Sequence, residues 1–246
     1  MELARRVEAC ACYTSGVADM LRPYIAVEKL FVARNTLDLA PMMAQHEELR
    51  AEGRESVRRR LSIPARSRVL VYLGRLIPEK GVDLLLEAYR KLSADSQVVL
   101  LVVGDGPERA RMESETRRQG LDDVRYLGAL FGQDAAPFLF SSDVMVVPGY
   151  LGLVINHAFA FGLPVVSMRN PIGTGGHSPE VEYLESGETG VLCDGVTVDD
   201  LVRGIKSVLN DRPRYSANAY AYARAHLTLE QMVDGLHAAI LHAGGD

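Results

Sequence analysis

Two short segments about seventy residues apart hold the residue types best suited to chemistry. Gly74-Arg75-Leu76-Ile77-Pro78-Glu79-Lys80-Gly81 follows the apolar run Val69–Leu73, and Gly149 to Ala158 (GYLGLVINHA) follows Val144–Val147. Each reads as strand, glycine turn and helix start, the place where an α/β sheet collects phosphate. Arg75 is a planar multidentate donor and Lys80 a compact point charge, so the pair suits a diphosphate, and the dipole of the next helix adds to their field. A surface Arg and Lys flanking an ordinary βα loop would read the same way. In the second segment Gly149 and Gly152 let backbone amides approach a ligand, and Leu153 and Val154 open a helix whose N–H groups point towards it. Asn156 and His157, one turn in, are placed to hydrogen-bond sugar hydroxyls, although a helical His taken alone is more often structural. Together the two segments suit a nucleotide-sugar.

Three further motifs are weaker. Gly104-Asp105-Gly106-Pro107-Glu108 follows the run Val98–Val103 and looks like half a dinucleotide fingerprint. Pro107 and Glu108 break the spacing, which gives a nicotinamide site little support. A tight turn with Pro near the first helical position explains the same residues, with the glycines approaching a ligand as the second reading. In the loop from Pro171 to Glu180, Ser178 is placed to cap the next helix with Pro179 at its first position, and the glycines beside His177 and Glu180 suit a sugar-binding lid. Arg58-Arg59-Arg60 reads as a solvated helix face rather than a basic patch.

The elements that must position these residues follow from periodicity. Val69–Leu73, Val98–Val103, Val124–Leu127, Val144–Val147, Pro164–Ser167 and Val191–Leu192 are short, β-branched-rich runs, as central parallel strands covered on both faces are. Helical stretches lie near 81–93, 107–119, 134–142, 153–162, 179–186 and 197–210. This alternation predicts an α/β fold, a Rossmann-like doubly wound parallel sheet over 66–193. Before it, Val7–Tyr13 and Leu30–Ala33 read as strands around a short helix, Gly16–Tyr24, and 42–61 as a charged helix or linker. A lone βαβ unit cannot make a stable sheet of its own.

Composition narrows the function classes. The 246 residues are 48% hydrophobic, with 27 basic and 32 acidic side chains and a net charge of −5, which argues against nonspecific nucleic-acid binding. Cys10, Cys12 and Cys193 form no CxxC spacing, so neither a zinc site nor a disulfide framework is expected. No apolar stretch is long enough to span a membrane, and Arg5 and Arg6 between Glu2 and Glu8 do not make a signal peptide. A soluble cytoplasmic protein is expected.

On these motifs the chain resembles the retaining GT-B-fold glycosyltransferases of family four, also called group one. Asn35-Thr36-Leu37-Asp38 resembles the turn before that family's interdomain linker, and Gly74-Arg75 with Glu79-Lys80-Gly81 its diphosphate-binding Gly-Arg…Lys-Gly. Gly104-Asp105-Gly106-Pro107, Ser142-Asp143-Val144 and Val147-Pro148 match further turns, and Gly152 to Ala158 with Gly162-Leu163-Pro164-Val165-Val166 follows the donor-site helix and next strand. The chain departs from the family where two glutamates usually flank that helix, since Gly149 and His157 stand there. The resemblance implies that the first acid contacts the donor sugar and the second the ribose, a bond His157 can still make.

What the resemblance implies is specific. Arg75 and Lys80 would be catalytic, and Gly74, Gly104, Gly106, Gly149, Gly152, Leu153, Val154, Asn156, His157 and Glu180 would hold the donor, a nucleoside-diphosphate sugar, with neither metal nor other cofactor. The acceptor is left open among a glycan, a lipid-linked molecule and a small molecule, and the localisation between free cytoplasmic and membrane-peripheral. Residues 1–41 would be an incomplete βαβ remnant of the N-terminal acceptor domain, 42–65 a linker helix, and 66–246 the C-terminal donor-binding domain with its final helices. The rest of the acceptor half would come from a missing N-terminal domain or a partner chain. The alternatives are a nucleotide-sugar-binding module without turnover and a GT-B sugar-nucleotide epimerase. An uncovered remnant with open strand edges favours association. Unless a partner covers residues 1–38, the isolated chain is therefore expected to self-associate or to be unstable, and light scattering showing a well-behaved monomer with protected amides over 7–33 would count against this.

Overall fold

The apolar runs become a parallel sheet because their β-branched side chains are buried on both faces. The computed structural model describes residues 6–94, 97–169 and 176–244. Its main sheet joins β3 (Arg68–Leu73), β4 (Val98–Val103), β5 (Val124–Gly128), β6 (Val144–Val146), β7 (Val165–Met168) and β8 (Gly190–Cys193) in the order β5-β4-β3-β6-β7-β8, all parallel. Helices α4 (Val82–Ser93), α5 (Arg109–Arg118), α6 (Ala136–Ser141) and α7 (Val154–Ala160) make crossovers, and α8 (Val198–Asn210), after the last strand, packs back on the sheet. The strand order reverses between β3 and β6. In open α/β sheets ligands bind at that reversal, beyond the carboxyl ends of the strands. The loops Gly74–Gly81 and Gly149–Leu153 leave the sheet there.

The amino-terminal segment forms β1 (Cys10–Cys12), α1 (Ser15–Leu21) and β2 (Leu30–Val32), with β1 and β2 paired in parallel as a separate two-stranded sheet. The first strand is shorter than the 7–13 expected from its apolar residues. Helix α9 (Arg212–His226) runs over α7, and α10 (Leu229–Gly244) returns to this small sheet. The approach is close: a Cβ on Gly235 would lie 2.3 Å from the Val32 carbonyl oxygen, and the Phe31 and His242 rings sit 5.3 Å apart. So α10 covers one face of the two-stranded sheet, while its Val233, Leu236 and Ile240 remain 51%, 41% and 67% exposed.

The expected linker is two helices, α2 (Ala40–Glu52) and α3 (Arg54–Arg60), divided at Gly53 with φ 88°. The helix expected near 179–186 is a single 3-10 turn, Pro179–Tyr183. A larger correction concerns the basic run, because Arg58 is not a solvated face residue but 7% exposed. Its guanidinium donates to the Ser141 carbonyl at 2.8 Å, to the Ser67 carbonyl at 3.1 Å and to Asp143 Oδ2 at 3.0 Å. Arg54 donates to Asp143 Oδ1 at 2.8 Å, and Asp143 Oδ2 also accepts the Val69 N–H at 2.7 Å. Burial alone would raise this carboxyl, yet Arg54 and Arg58 hold it below its ordinary value of 3.8.

The aspartate thus ties the linker helices to the amino ends of β3 and β6. Asp143→Asn leaves buried guanidiniums without their countercharge, and the expected cost in urea unfolding is about 3–5 kcal/mol. The sign with pH follows from the depressed value: the wild-type contribution is complete above 3.8 and is lost as pH falls through the folded value. The acid-side loss of stability should therefore shrink in Asp143→Asn.

Candidate functional site

The two chemistry-bearing loops are bound to each other by their backbones. Gly149 N–H donates to the Lys80 carbonyl at 3.0 Å and Tyr150 N–H to the Glu79 carbonyl at 3.3 Å. Lys80 Nζ returns across the same seam to the Tyr150 carbonyl at 2.5 Å and the Leu151 carbonyl at 3.3 Å. Burial lowers the pKa of this ammonium, and the carboxylate of Glu180 opposes the shift. No side chain fits at Gly149, where a Cβ would lie 2.0 Å from the Glu79 carbonyl oxygen. The glycine in place of the family's usual acid is therefore required by this packing.

Below the first loop a second seam fixes Arg75. The buried Tyr72 hydroxyl donates to the Arg75 carbonyl at 2.6 Å, and Leu76 exchanges backbone hydrogen bonds with Asp105 and Glu108. A Cβ at Gly104 would lie 1.8 Å from the Gly74 carbonyl oxygen, and one at Gly106 would lie 2.4 Å from that of Leu76. The space beside Gly104 and Gly106 is thus filled by the first loop rather than open to a ligand. Arg75 itself is exposed.

At the mouth of α7, Gly152 turns the chain with φ 61°, and its N–H donates to Ser178 Oγ at 2.8 Å. Ser178 makes no side-chain cap for its own turn, contrary to the sequence expectation. Gly74, Leu153, Val154 and His157 come together on a pocket of about 360 Å³, whose other walls include Leu73, Leu130 and Phe131. His157 is half-buried on that wall, and burial lowers its pKa, which favours the neutral imidazole. Asn156 is not there. It is fully buried and its Nδ2 donates to Thr36 Oγ1 at 2.9 Å, so the amide expected to meet a sugar instead ties α7 to the chain crossing at Thr36.

Glu180 is also buried and accepts from Asn35 Nδ2 at 2.7 Å. Around it the turn Pro179–Tyr183 reaches further into the amino-terminal segment. Glu182 accepts the Gly16 N–H at 2.7 Å and the Ser15 hydroxyl, while the Tyr183 hydroxyl donates to the carbonyls of Tyr13 and Asn35 at 3.2 and 3.1 Å. The expected lid over 171–180 lies partly outside the described residues. His177 within it is a brace: its Nδ1 accepts the Ser178 N–H at 2.9 Å and its Nε2 lies 3.4 Å from Ser167 Oγ. Burial, with Lys80 nearby, pushes this imidazole down to about 4. Sequence reasoning missed Leu130 and Phe131. The available signal was an apolar pair beside Gly132 just after β5, with Phe131 left 80% exposed.

A site built from crossed βα loops at a sheet reversal invites comparison with known proteins. The model of the family "Glycosyl transferases group 1" matches residues 53–226, well over half of the chain. The chain belongs to the group 1 glycosyl transferases. Within this family it is 34% identical over 200 residues to a D-inositol 3-phosphate glycosyltransferase of Geodermatophilus obscurus, covering 76% of this chain and 43% of that protein. It is 32% identical over 193 residues to a GDP-mannose-dependent monoacylated alpha-(1-6)-phosphatidylinositol monomannoside mannosyltransferase of Corynebacterium glutamicum, covering 73% and 47%. In fold it is similar to Anabaena HepE solved with UDP and glucose, with a TM-score of 0.72, 20% identity, and 97% of this chain covering 64% of that one. The group 1 chain described here thus spans about half the length of these curated relatives.

Gly149 separates the packing account from a ligand-contact account. Gly149→Ala is expected to destabilise the fold by about 1–3 kcal/mol in denaturant unfolding, the scale of an overpacked site. Gly149→Glu, which supplies the family's usual acid, should do no better. Wild-type stability in either variant would mean that the loops are not locked at this seam.

Proposed function

We propose that this chain is the donor-binding half of a retaining glycosyltransferase that moves a sugar from a nucleoside diphosphate to an acceptor hydroxyl. The observation that carries the reading is the backbone lock between Gly149-Tyr150 and Glu79-Lys80 at the β3/β6 reversal, with the pocket of Gly74 and His157 beside it. In the transfer the bond between the sugar's anomeric carbon and the diphosphate breaks, the acceptor oxygen bonds to that carbon on the same face, and the acceptor's hydroxyl proton passes to the departing diphosphate oxygen. Negative charge develops on the leaving diphosphate. Lys80, held on the Tyr150 and Leu151 carbonyls, would stabilise it as a cation fixed before reaction, where charge lowers a barrier most, and the exposed Arg75 would add its guanidinium. The apolar walls at Leu130 and Phe131 suit a nucleobase, and neutral His157 suits a ribose hydroxyl. Residues 1–41 would then belong to the acceptor half, 42–65 to the linker and 66–246 to the donor half. The relatives' names include a GDP-mannose-dependent enzyme, and one similar structure holds UDP, so both bases belong in a test.

A thermal-shift panel of nucleoside diphosphates and their sugars tests the reading directly, because a ligand of the native state raises its midpoint. Arg75→Ala and Lys80→Ala should each weaken diphosphate binding by about 1.5–3 kcal/mol, the scale of charge-assisted hydrogen bonds, without loss of fold. Affinity should also fall as pH rises through the Lys80 value, which lies below the ordinary 10.5. At His157, Gln or Glu should bind better than Ala, and equal affinity in all three would make the residue structural. Saturable binding without product from any acceptor would favour a binding module over an enzyme.

A further inference from the structure

The donor site makes no use of the basic cluster at the opposite, amino end of the sheet. Asp143 is its centre: Oδ1 takes Arg54 Nη2 at 2.8 Å and lies 3.4 Å from Arg212 Nε, and Oδ2 takes Arg58 Nη2 at 3.0 Å. Arg68, the exposed first residue of β3, adds its field at Arg212. Three guanidiniums therefore surround one carboxylate, with Arg68 adding to the positive field at Arg212, in a chain whose net charge is −5.

Nearby acids do not redress the balance. Asp211 and Glu188 pair with Arg214 instead. The carbonyls of Ser141, Ser142 and Ser67 accept N–H bonds from Arg54 and Arg58 but bring no net charge. The shortage shows in two ways. The Nε atoms of Arg54 and Arg212 are buried without a hydrogen-bond acceptor, and burial together with Arg212 and Arg58 lowers the Arg54 pKa to about 10. Arg212 moreover opens α9, whose Asp211 makes no side-chain cap, so a cation sits at the helix end that favours an anion. Arg54 and Arg212 each keep a quarter of their side chains exposed, so the cluster is open to solvent on this side.

We propose that Arg54, Arg68 and Arg212 form a binding site for a phosphate group, separate from the donor site, with Arg58 and Asp143 as its buried frame. Guanidinium forks match phosphate oxygens, and the group would supply the negative charge the cluster lacks. The phosphate belongs either to a free anion or to a lipid headgroup.

Inorganic phosphate is titrated into the full chain against chloride at matched ionic strength, following the unfolding midpoint. The Arg75→Ala/Lys80→Ala variant silences the donor site, and there phosphate protection should persist. In Arg68→Ala/Arg212→Gln the apparent affinity should fall by about tenfold or more, as expected for losing charge-assisted hydrogen bonds. The Arg68→Ala single variant, which removes only an exposed side chain, keeps the test valid if the double variant folds poorly. Sedimentation with phosphatidylcholine vesicles, with and without phosphatidylglycerol, separates the sources. Binding to the anionic vesicles that Arg68→Ala abolishes assigns a headgroup, and phosphate protection without vesicle binding assigns a free anion. The proposal falls if phosphate protects no more than chloride and the anionic vesicles do not bind, or if protection and binding survive in Arg68→Ala/Arg212→Gln.

Discussion

The contact on which the candidate site depends is backbone against backbone, at Gly149. Its N–H bond to Lys80, and the clash any Cβ would make with Glu79, leave the two loops one way to lie together. Because the seam is made of peptide groups, it places Lys80 Nζ on the carbonyls of Tyr150 and Leu151 without relying on any further side chain. Gly104 and Gly106 repeat the device one layer down, letting the next loop press against Gly74 and Leu76. Glycine here removes volume so that three loops can stack, and the exposed Arg75 side chain projects from the result.

The same pair of strands is held at its other end by different physics. β3 and β6 are in register over only Leu70–Val144 and Val71–Met145, too short a ladder to rely on by itself. Asp143 lengthens the connection at the amino end, giving its own N–H to the Val69 carbonyl while its carboxylate accepts the Val69 N–H. Removing that carboxylate would release the linker arginines along with the strands. A charged cluster at one end and a glycine lock at the other fix the separation of the loops between them.

The sheet was legible because its central strands are continuous apolar runs, and burial on both faces is what such runs mean; the edge strand β5, interrupted by Arg125, is half-buried throughout. All six strands from 66 to 193 are present, and the two amino-terminal strands pair in parallel around α1. Side-chain placement was harder to read. Arg58 looks like any surface cation in sequence, since the aspartate that buries it lies 85 positions away. Asn156 and His157 are adjacent, yet successive helical residues point about 100° apart, so only one can face the pocket. Periodicity in a seven-residue helix does not decide which. Gly104 and Gly106 read identically whether a ligand or a neighbouring carbonyl fills the space beside them. Phe131 sits in a loop, where no repeat marks it.

The turn Pro179–Tyr183 makes the two sheets a single mechanical circuit. Ser178 at one end grips the Gly152 amide at the mouth of α7, and Glu180, Glu182 and Tyr183 grip Asn35, Gly16 and Tyr13 across the gap. Five residues wound as a 3-10 turn have little slack. The Gly152 amide and the small sheet are therefore held by hydrogen bonds to one short turn and the residue before it. The amino-terminal strands are thereby fastened to the same turn that braces the mouth of α7, beside the pocket of Gly74 and His157.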